Sequence, residues 1–186
     1  MEVTANTRGA AVLTSATVVT GLIAGTYYAF ACAVMPGLGA SGDRTFIEAM
    51  QNINTKIENP VFFLSFFGAL VLPAWALRKY WNDRRLRMWI AAGLGLSVIG
   101  LLTTMGINIP LNNDLAAAGN PAKITDPAAV RAHFENTWNT WNIARAVLST
   151  GAAACLARAM LLLGKSGREQ ALYPPVLERN QTWARV

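Results

Sequence analysis

Long stretches of this chain carry almost no charge. Gly9 to Ser41, Pro60 to Leu77 and Met88 to Ile107 have no charged side chain, and a fourth run, Ala146 to Gly164, is interrupted only by Arg158. Each run is close to or above the length of about 20 residues that lets an α-helix cross a bilayer core, and Arg158 lies near enough to an end to snorkel to the interface. The composition agrees: 53% of the residues are hydrophobic and 14% charged, against about 45–50% and about 25% in soluble domains. The predicted fold is all-α, a four-helix transmembrane bundle formed by residues 1–164 as one membrane-embedded domain. A polar, flexible tail follows over 165–186, marked by Pro174-Pro175.

The net charge of +6 is distributed as a membrane protein distributes it, so no nucleic-acid partner is expected. Arg8, the loop basic residues Arg78, Lys79, Arg84, Arg85 and Arg87, and Arg158, Lys165, Arg168, Arg179 and Arg185 fall on one side. Arg44, Lys56, Lys123, Arg131 and Arg145 fall on the other. The positive-inside rule then places both termini in the cytosol. Asn180-Gln181-Thr182 fits a glycosylation sequon, but its use would contradict that orientation, and the charge asymmetry is the stronger signal. Ala31-Cys32-Ala33 resembles a leader cleavage site, yet the apolar run before it exceeds a signal-peptide core and reads as a membrane helix. Cys32 and Cys155 lie within apolar spans, as buried free thiols do, so no disulfide framework is expected.

Gly21, Gly25 and Ala29 recur every fourth residue on the first span, a spacing that lets helix backbones approach closely. Tyr27 and Tyr28 follow in its outer half. Met35-Pro36-Gly37-Leu38-Gly39 carries helix-stopping residues. After it Phe46, Met50, Ile53 and Ile57 return at helical spacing, predicting a short amphipathic helix on the outer surface between the first two membrane helices, with Asn52 and Asn54 on its other face. Asn59-Pro60 is an N-cap followed by a first-turn proline, and Pro73 disturbs the hydrogen bonding near the inner end of the second span. Gly93, Ser97 and Gly100 give the third span a small face. Thr104 and Asn108 follow at i and i+4, and the span exits through Asn108-Ile109-Pro110-Leu111-Asn112. An amide at that depth is costly unless paired, so Asn108 is expected to face the bundle. Residues Asn113 to Asp126 form the one long connection, a lid or a linker.

The fourth helix begins near Asp126-Pro127. Running to about Gly164 it spans about 55 Å at about 1.5 Å per residue, so its first turns project outward from a core of about 30 Å. There the sequence reads His133-Phe134-Glu135-Asn136-Thr137-Trp138-Asn139-Thr140-Trp141-Asn142-Ile143-Ala144-Arg145, its densest polar-aromatic run. At about 100° per residue, Arg131, Phe134, Trp138, Trp141, Asn142 and Arg145 share one arc. His133, the single histidine, points away from it. Polar groups of the arc meet Asn108, Asn112 and Tyr27 or Tyr28 at one depth.

One histidine and two membrane-buried cysteines make no zinc, iron or haem ligand set. No Gly-rich dinucleotide fingerprint follows a strand, and no Ser-His-Asp set forms. Gly21-x-x-Ala24-Gly25-x-Tyr27-Tyr28-Ala29-Phe30, Val34-Met35-Pro36, Met50-Gln51-Asn52-Ile53-Asn54, Asn59-Pro60-x-Phe62, Asn108-Ile109-Pro110-Leu111-Asn112 and Phe134-x-x-x-Trp138-x-x-Trp141-Asn142-x-x-Arg145 resemble the anthrone oxygenase family, over about Gly21 to Ala157. That resemblance implies a small four-helix membrane protein. Among fungal members it implies an oxygenase that turns an anthrone into an anthraquinone in polyketide biosynthesis, with O₂ as co-substrate and no cofactor. The flat, oily anthrone suits Phe62, Phe63, Phe66, Trp138 and Trp141, with Asn112, Asn52 and Tyr28 as further substrate contacts. Arg145, aided by Asn108 and Asn142, is expected to stabilise the anthranolate oxyanion, and His133, a tyrosine or water to remove the proton. Two other classes compete: a membrane carrier that binds an aromatic metabolite unchanged, and a structural subunit whose asparagines and arginine tie helices together.

Overall fold

The computed structural model describes residues 2–172, with side chains described from residue 9 to 165. Pro174-Pro175 and the Asn180 sequon lie outside the described residues, as do Arg179 and Arg185. Apart from short connections the described residues are helical, with no strand among them. Its elements are α1 (Glu2–Ala29), a π-helical turn (Phe30–Val34), α2 (Met35–Gly39), α3 (Asp43–Ile57), α4 (Pro60–Lys79), α5 (Arg84–Thr103), a second π-helical turn (Thr104–Asn108), α6 (Ile109–Ala117), a 3₁₀ turn (Pro121–Lys123) and α7 (Pro127–Leu172). The segments Gly9–Gly39, Pro60–Lys79, Arg84–Ala117 and Pro127–Lys165 are long and apolar enough to cross a membrane. Leu22, Leu64, Leu102 and Val147, one from each rod, are more than half exposed. A ring of large apolar side chains around a bundle matches lipid rather than water.

Side-chain oxygens fix the helix starts. Asn59 Oδ1 accepts from Val61 N and Phe62 N at 3.1 Å each, Asp83 Oδ1 accepts from Arg85 N and Leu86 N, and Asp126 Oδ1 accepts from Ala129 N. Each satisfies donors that the first turn of a helix leaves free. α7 does not stop near Gly164 but continues to Leu172, 46 residues or about 69 Å at about 1.5 Å per residue, so the first part of the predicted tail is helix.

Pro36 and Pro110 do not end their helices. A proline within an α-helix lacks a donor, and its ring strikes the carbonyl four residues back. Here a wider turn precedes each one, with Met35 N bonded to Phe30 O and Ile109 N to Thr104 O. The extra residue in the turn relieves the clash. α1 thus continues into α2 through the stop expected at Met35–Gly39, and α5 into α6 through and past the exit expected at residues 108–112.

The rods follow the ring order α1, α4, α5, α7, each packed against its two neighbours, and the connections make every neighbouring pair antiparallel. At the basic end Leu13, Ala16, Ala76, Leu86, Ile90, Leu156 and Ala159 form a buried core. α5 and α7 approach closely at Gly93, where a Cβ would stand 3.1 Å from the Ala152 carbonyl oxygen. The Gly21 and Gly25 face, expected to pack, instead points outward, and a Cβ at either position would have nothing within 4 Å. The bundle takes the neighbouring face of Thr20, Ile23, Ala24 and Tyr27, about 100° around the helix.

The opposite end carries a second core that extends the bundle. Met35, Phe46, Ile47, Met50, Leu115, Phe134 and Trp138 are buried together, so the amphipathic α3 lays its apolar face on α2, α6 and the projecting start of α7. Arg131 clamps the α2–α3 turn: Nη1 donates to Ser41 O at 2.8 Å and pairs with Asp43 at 3.0 Å, Nη2 donates to Gly39 O, and Nε pairs with Glu135 at 2.6 Å. The connection after α6 is pinned to α3 as well. Arg44 donates to Pro121 O and Ile124 O, and Gln51 donates to Leu115 O and Gly119 O. It is a strap bonded to α3 at these points.

Candidate functional site

Where the bundle meets this outer cap, a cavity of about 120 Å³ opens between the rods. Phe62, Phe63 and Phe66 of α4 form one wall, with Phe62 and Phe66 stacked at 5.6 Å. Tyr27 and Phe30 of the first rod, and Trp138, Asn142 and Arg145 of α7, form the facing side. Thr104, Ile109 and Asn112 contribute from the third rod, and Ile53, Asn54, Ile57 and Glu58 from the end of α3. Both π-turns border this space, Phe30 opening one and Thr104 the other. The widened turns therefore set the lateral position of residues on two walls.

Arg145 is the electrostatic centre. It is 5% exposed, its guanidinium lies 4.4 Å from the Tyr27 ring centroid and 5.4 Å from that of Trp138, and the two rings supply cation–π attraction in place of water. Nη1 donates to Thr104 Oγ1 at 3.3 Å and Nη2 to Asn142 Oδ1 at 3.2 Å. Among the described residues no carboxylate pairs with it, and its Nε has no acceptor. Asn142, fully buried, passes the constraint on by donating to the Tyr27 carbonyl oxygen at 3.1 Å. Trp138 is fixed in turn: Nε1 donates to Asn112 Oδ1 at 2.7 Å, its own carbonyl accepts from Asn108 Nδ2 at 3.2 Å, and its ring contacts Phe30 and Phe134. The result is a charge held in a low-dielectric wall with donor capacity to spare, beside a flat aromatic slot. An uncompensated buried cation favours a ligand that brings or develops negative charge.

A family model described as anthrone oxygenase matches residues 52–155, more than half of the chain. The chain belongs to the anthrone oxygenase family. No curated protein and no solved structure matches it. The matched region of this anthrone oxygenase family member contains the α3 end, the phenylalanine wall, Thr104, Asn112 and the Trp138 to Arg145 face. Tyr27 and Phe30 complete the cavity from outside it.

Several residues expected at the site are brought together: Arg145, Asn142, Trp138 and Asn112 line the cavity. Asn108 faces the bundle as expected, 1% exposed, but it stands behind the wall, holding the Trp138 backbone, and its Oδ1 is unpartnered. His133 is not part of the site. Its side chain is 69% exposed, lies 3.6 Å from Asp114, and borders a separate surface hollow with Leu115 and Phe134, as its position off the helical arc requires. Tyr28 is 64% exposed on the outer face of α1 and its neighbour Tyr27 takes the inner place. Asn52 is exposed while Asn54 lines the cavity, since two residues on a helix stand about 200° apart. Trp141 is 40% exposed at the edge of the arc and off the lining. Thr104, Asn54 and Glu58 are lining residues that sequence reasoning misses as site groups; Thr104, four residues before Asn108 and free of any cap role, carries the one usable signal. Among the described residues no three His, Cys, Asp or Glu side chains are grouped to hold a metal ion.

Proposed function

We propose that this protein oxidises the methylene of an anthrone with O₂ to give an anthraquinone and water, as a monooxygenase that needs no bound cofactor. The observation that carries this reading is Arg145, a buried guanidinium without a carboxylate partner among the described residues, set in an aromatic cavity with Asn142 and Thr104. Removing a methylene proton turns the anthrone into an anthranolate, whose charge rests largely on the ring oxygen. A fixed cation in a dry wall stabilises that charge far more than the neutral ketone, which is the differential binding catalysis requires. The anion gives one electron to O₂, the radical pair joins at the methylene carbon, and the hydroperoxide loses water. One atom of O₂ ends in the new carbonyl and the other in water, so no outside reductant is consumed. In a polyketide pathway such a step follows ring closure.

With purified protein and ¹⁸O₂ the quinone is expected to gain one labelled oxygen, and the rate is expected to survive dialysis against a chelator with no nicotinamide or flavin added. Activity lost to the chelator and restored by one metal ion would sink the cofactor-free mechanism, and tight binding of anthrone without product would make the protein a carrier.

The orientation belongs to the same proposal. The basic loop Arg78, Lys79, Arg84, Arg85 and Arg87 lies at the same end of the bundle as the start of α1 and the end of α7, and the positive-inside rule puts that end in the cytosol. The cavity then opens near the opposite leaflet. Tags at the two termini of protein in sealed, oriented vesicles should be digested or protected together on the cytosolic side; tags on opposite faces would overturn the topology.

A further inference from the structure

The anthranolate reading leaves the methylene proton without an acceptor. The oxygen and the methylene of an anthrone occupy opposite positions of the central ring. A base must therefore stand across the cavity from the guanidinium that holds the oxygen. Tyr27 does not meet that requirement, because its ring lies against Arg145 at 4.4 Å, on the oxyanion side. His133 is outside the cavity altogether.

Glu58 meets it. Among the described residues it is the only acidic one on the lining, and it comes from the α3–α4 junction, next in sequence to the phenylalanine wall rather than on α7. Among the described residues it makes no ion pair and no side-chain hydrogen bond, so its carboxylate is uncommitted. Its backbone is well held: φ −74° and ψ 64°, with Asn59 N bonded to Ile57 O at 2.8 Å, make Glu58 the centre of an inverse γ-turn. The Asn59 side chain locks this turn from both directions. Its Nδ2 donates to Lys56 O and Ile57 O, and its Oδ1 caps α4. One turn earlier Asn54, also on the lining, has a buried Nδ2 with no acceptor. Glu58 is also exposed, which gives a transferred proton a way out to water.

We propose that Glu58 is the general base of the reaction, a deduction that rests on the anthrone oxidation proposed above. The C–H bond of the methylene breaks, its proton goes to a Glu58 carboxylate oxygen, and the electron pair moves into the ring and onto the oxygen held by Arg145. After O₂ adds, the peroxide anion takes that proton back. Glu58 then removes the second methylene hydrogen as the O–O bond breaks and hydroxide, which carries the first proton, leaves; the second proton passes from Glu58 to that hydroxide to form water and restore the carboxylate. A carboxylate suffices for so weak a carbon acid when oxyanion donors stabilise the product enolate, as in ketosteroid isomerase.

The deciding experiment separates proton removal from oxidation. Full-length protein in detergent is incubated with anthrone in D₂O without oxygen, and methylene exchange above the buffer rate is followed by NMR. Wild type should accelerate exchange. Glu58→Gln should lower both exchange and aerobic turnover about 10²-fold, with anthrone still quenching tryptophan fluorescence at unchanged affinity, and Glu58→Asp should recover part of the exchange. Wild-type exchange in Glu58→Gln would remove Glu58 as the base while leaving the oxygenase intact, and loss of exchange in Tyr27→Phe instead would give the role to Tyr27. Failure of wild type to exchange or consume anthrone would bring down the oxygenase reading and this one with it.

Discussion

Arg145→Ala is expected to lower anthrone turnover by about 10²–10³, the loss seen when one oxyanion donor is removed, with the protein still folded. The guanidinium is buried, donates to Thr104 and Asn142, and lies over the rings of Tyr27 and Trp138. Its five donors exceed its partners, so under the proposed reaction donor capacity is left for a developing anthranolate oxygen. Arg145→Lys keeps the charge but loses the rigid planar fork and much of the stacking, and it should recover only part of the rate. An interfacial anchor would behave otherwise, because lysine serves there as well as arginine. Turnover per folded protein is the measurement, with monodispersity in detergent as the folding check. Near wild-type turnover in Arg145→Ala would make the residue a helix tie and move the search for the oxyanion donor to Asn54 and Asn112.

The parts of this architecture that depend on local chemistry are legible in the sequence. Uncharged spans, the Asn59-Pro60 and Asp126-Pro127 starts, and the arc that carries Trp138, Asn142 and Arg145 each follow from residues close together in the chain. The helix ends at Pro36 and Pro110 are not legible, because proline is a stop signal only when the preceding turn is α-helical. A π-turn removes the clash, and nothing in Phe30–Val34 or Thr104–Asn108 announces one. The choice of Tyr28 over Tyr27, and of Asn52 over Asn54, turns on helical phase, which depends on tertiary packing rather than on either pair's own residues. Glu58 is hidden for another reason: beside a capping asparagine it reads as the polar end of a surface helix, and only the return of α4 against α1 gives it a cavity to face.

The two π-turns also shape the site. By carrying the first and third rods past their prolines they bring α2 and α6 up beside the projecting start of α7, and the cap core that results is what presses Trp138 onto the cavity. A site built on straight helices ending at Pro36 and Pro110 would lack Leu38 and Leu115 in the core that contains that tryptophan. Its ring would then keep only Phe30, Phe134 and the Asn112 bond, without the packing that the cap adds around them. The cap is thus a support for one wall of the cavity.

Phe134→Ala tests that support. Phe134 is 1% exposed, stacks on Trp138 at 5.8 Å and 25°, and meets Phe46 edge-on at 6.2 Å, so it bridges α3 and α7 directly behind the cavity. Truncating a buried phenylalanine costs about 3–5 kcal/mol, and a weakened cap should also let Trp138 tilt from its place beside Arg145. The expected result is a lower midpoint of chemical denaturation in detergent together with a raised KM for anthrone. Phe134→Leu, closer in volume, should show a smaller share of both. Leu156→Ala supplies the comparison: it lies in the core at the basic end, should lose about 2–5 kcal/mol of stability, and should leave KM per folded molecule unchanged. If Phe134→Ala and Leu156→Ala destabilise alike and neither moves KM, the cap does not hold the tryptophan wall, and Asn112 and Asn108 suffice to place Trp138.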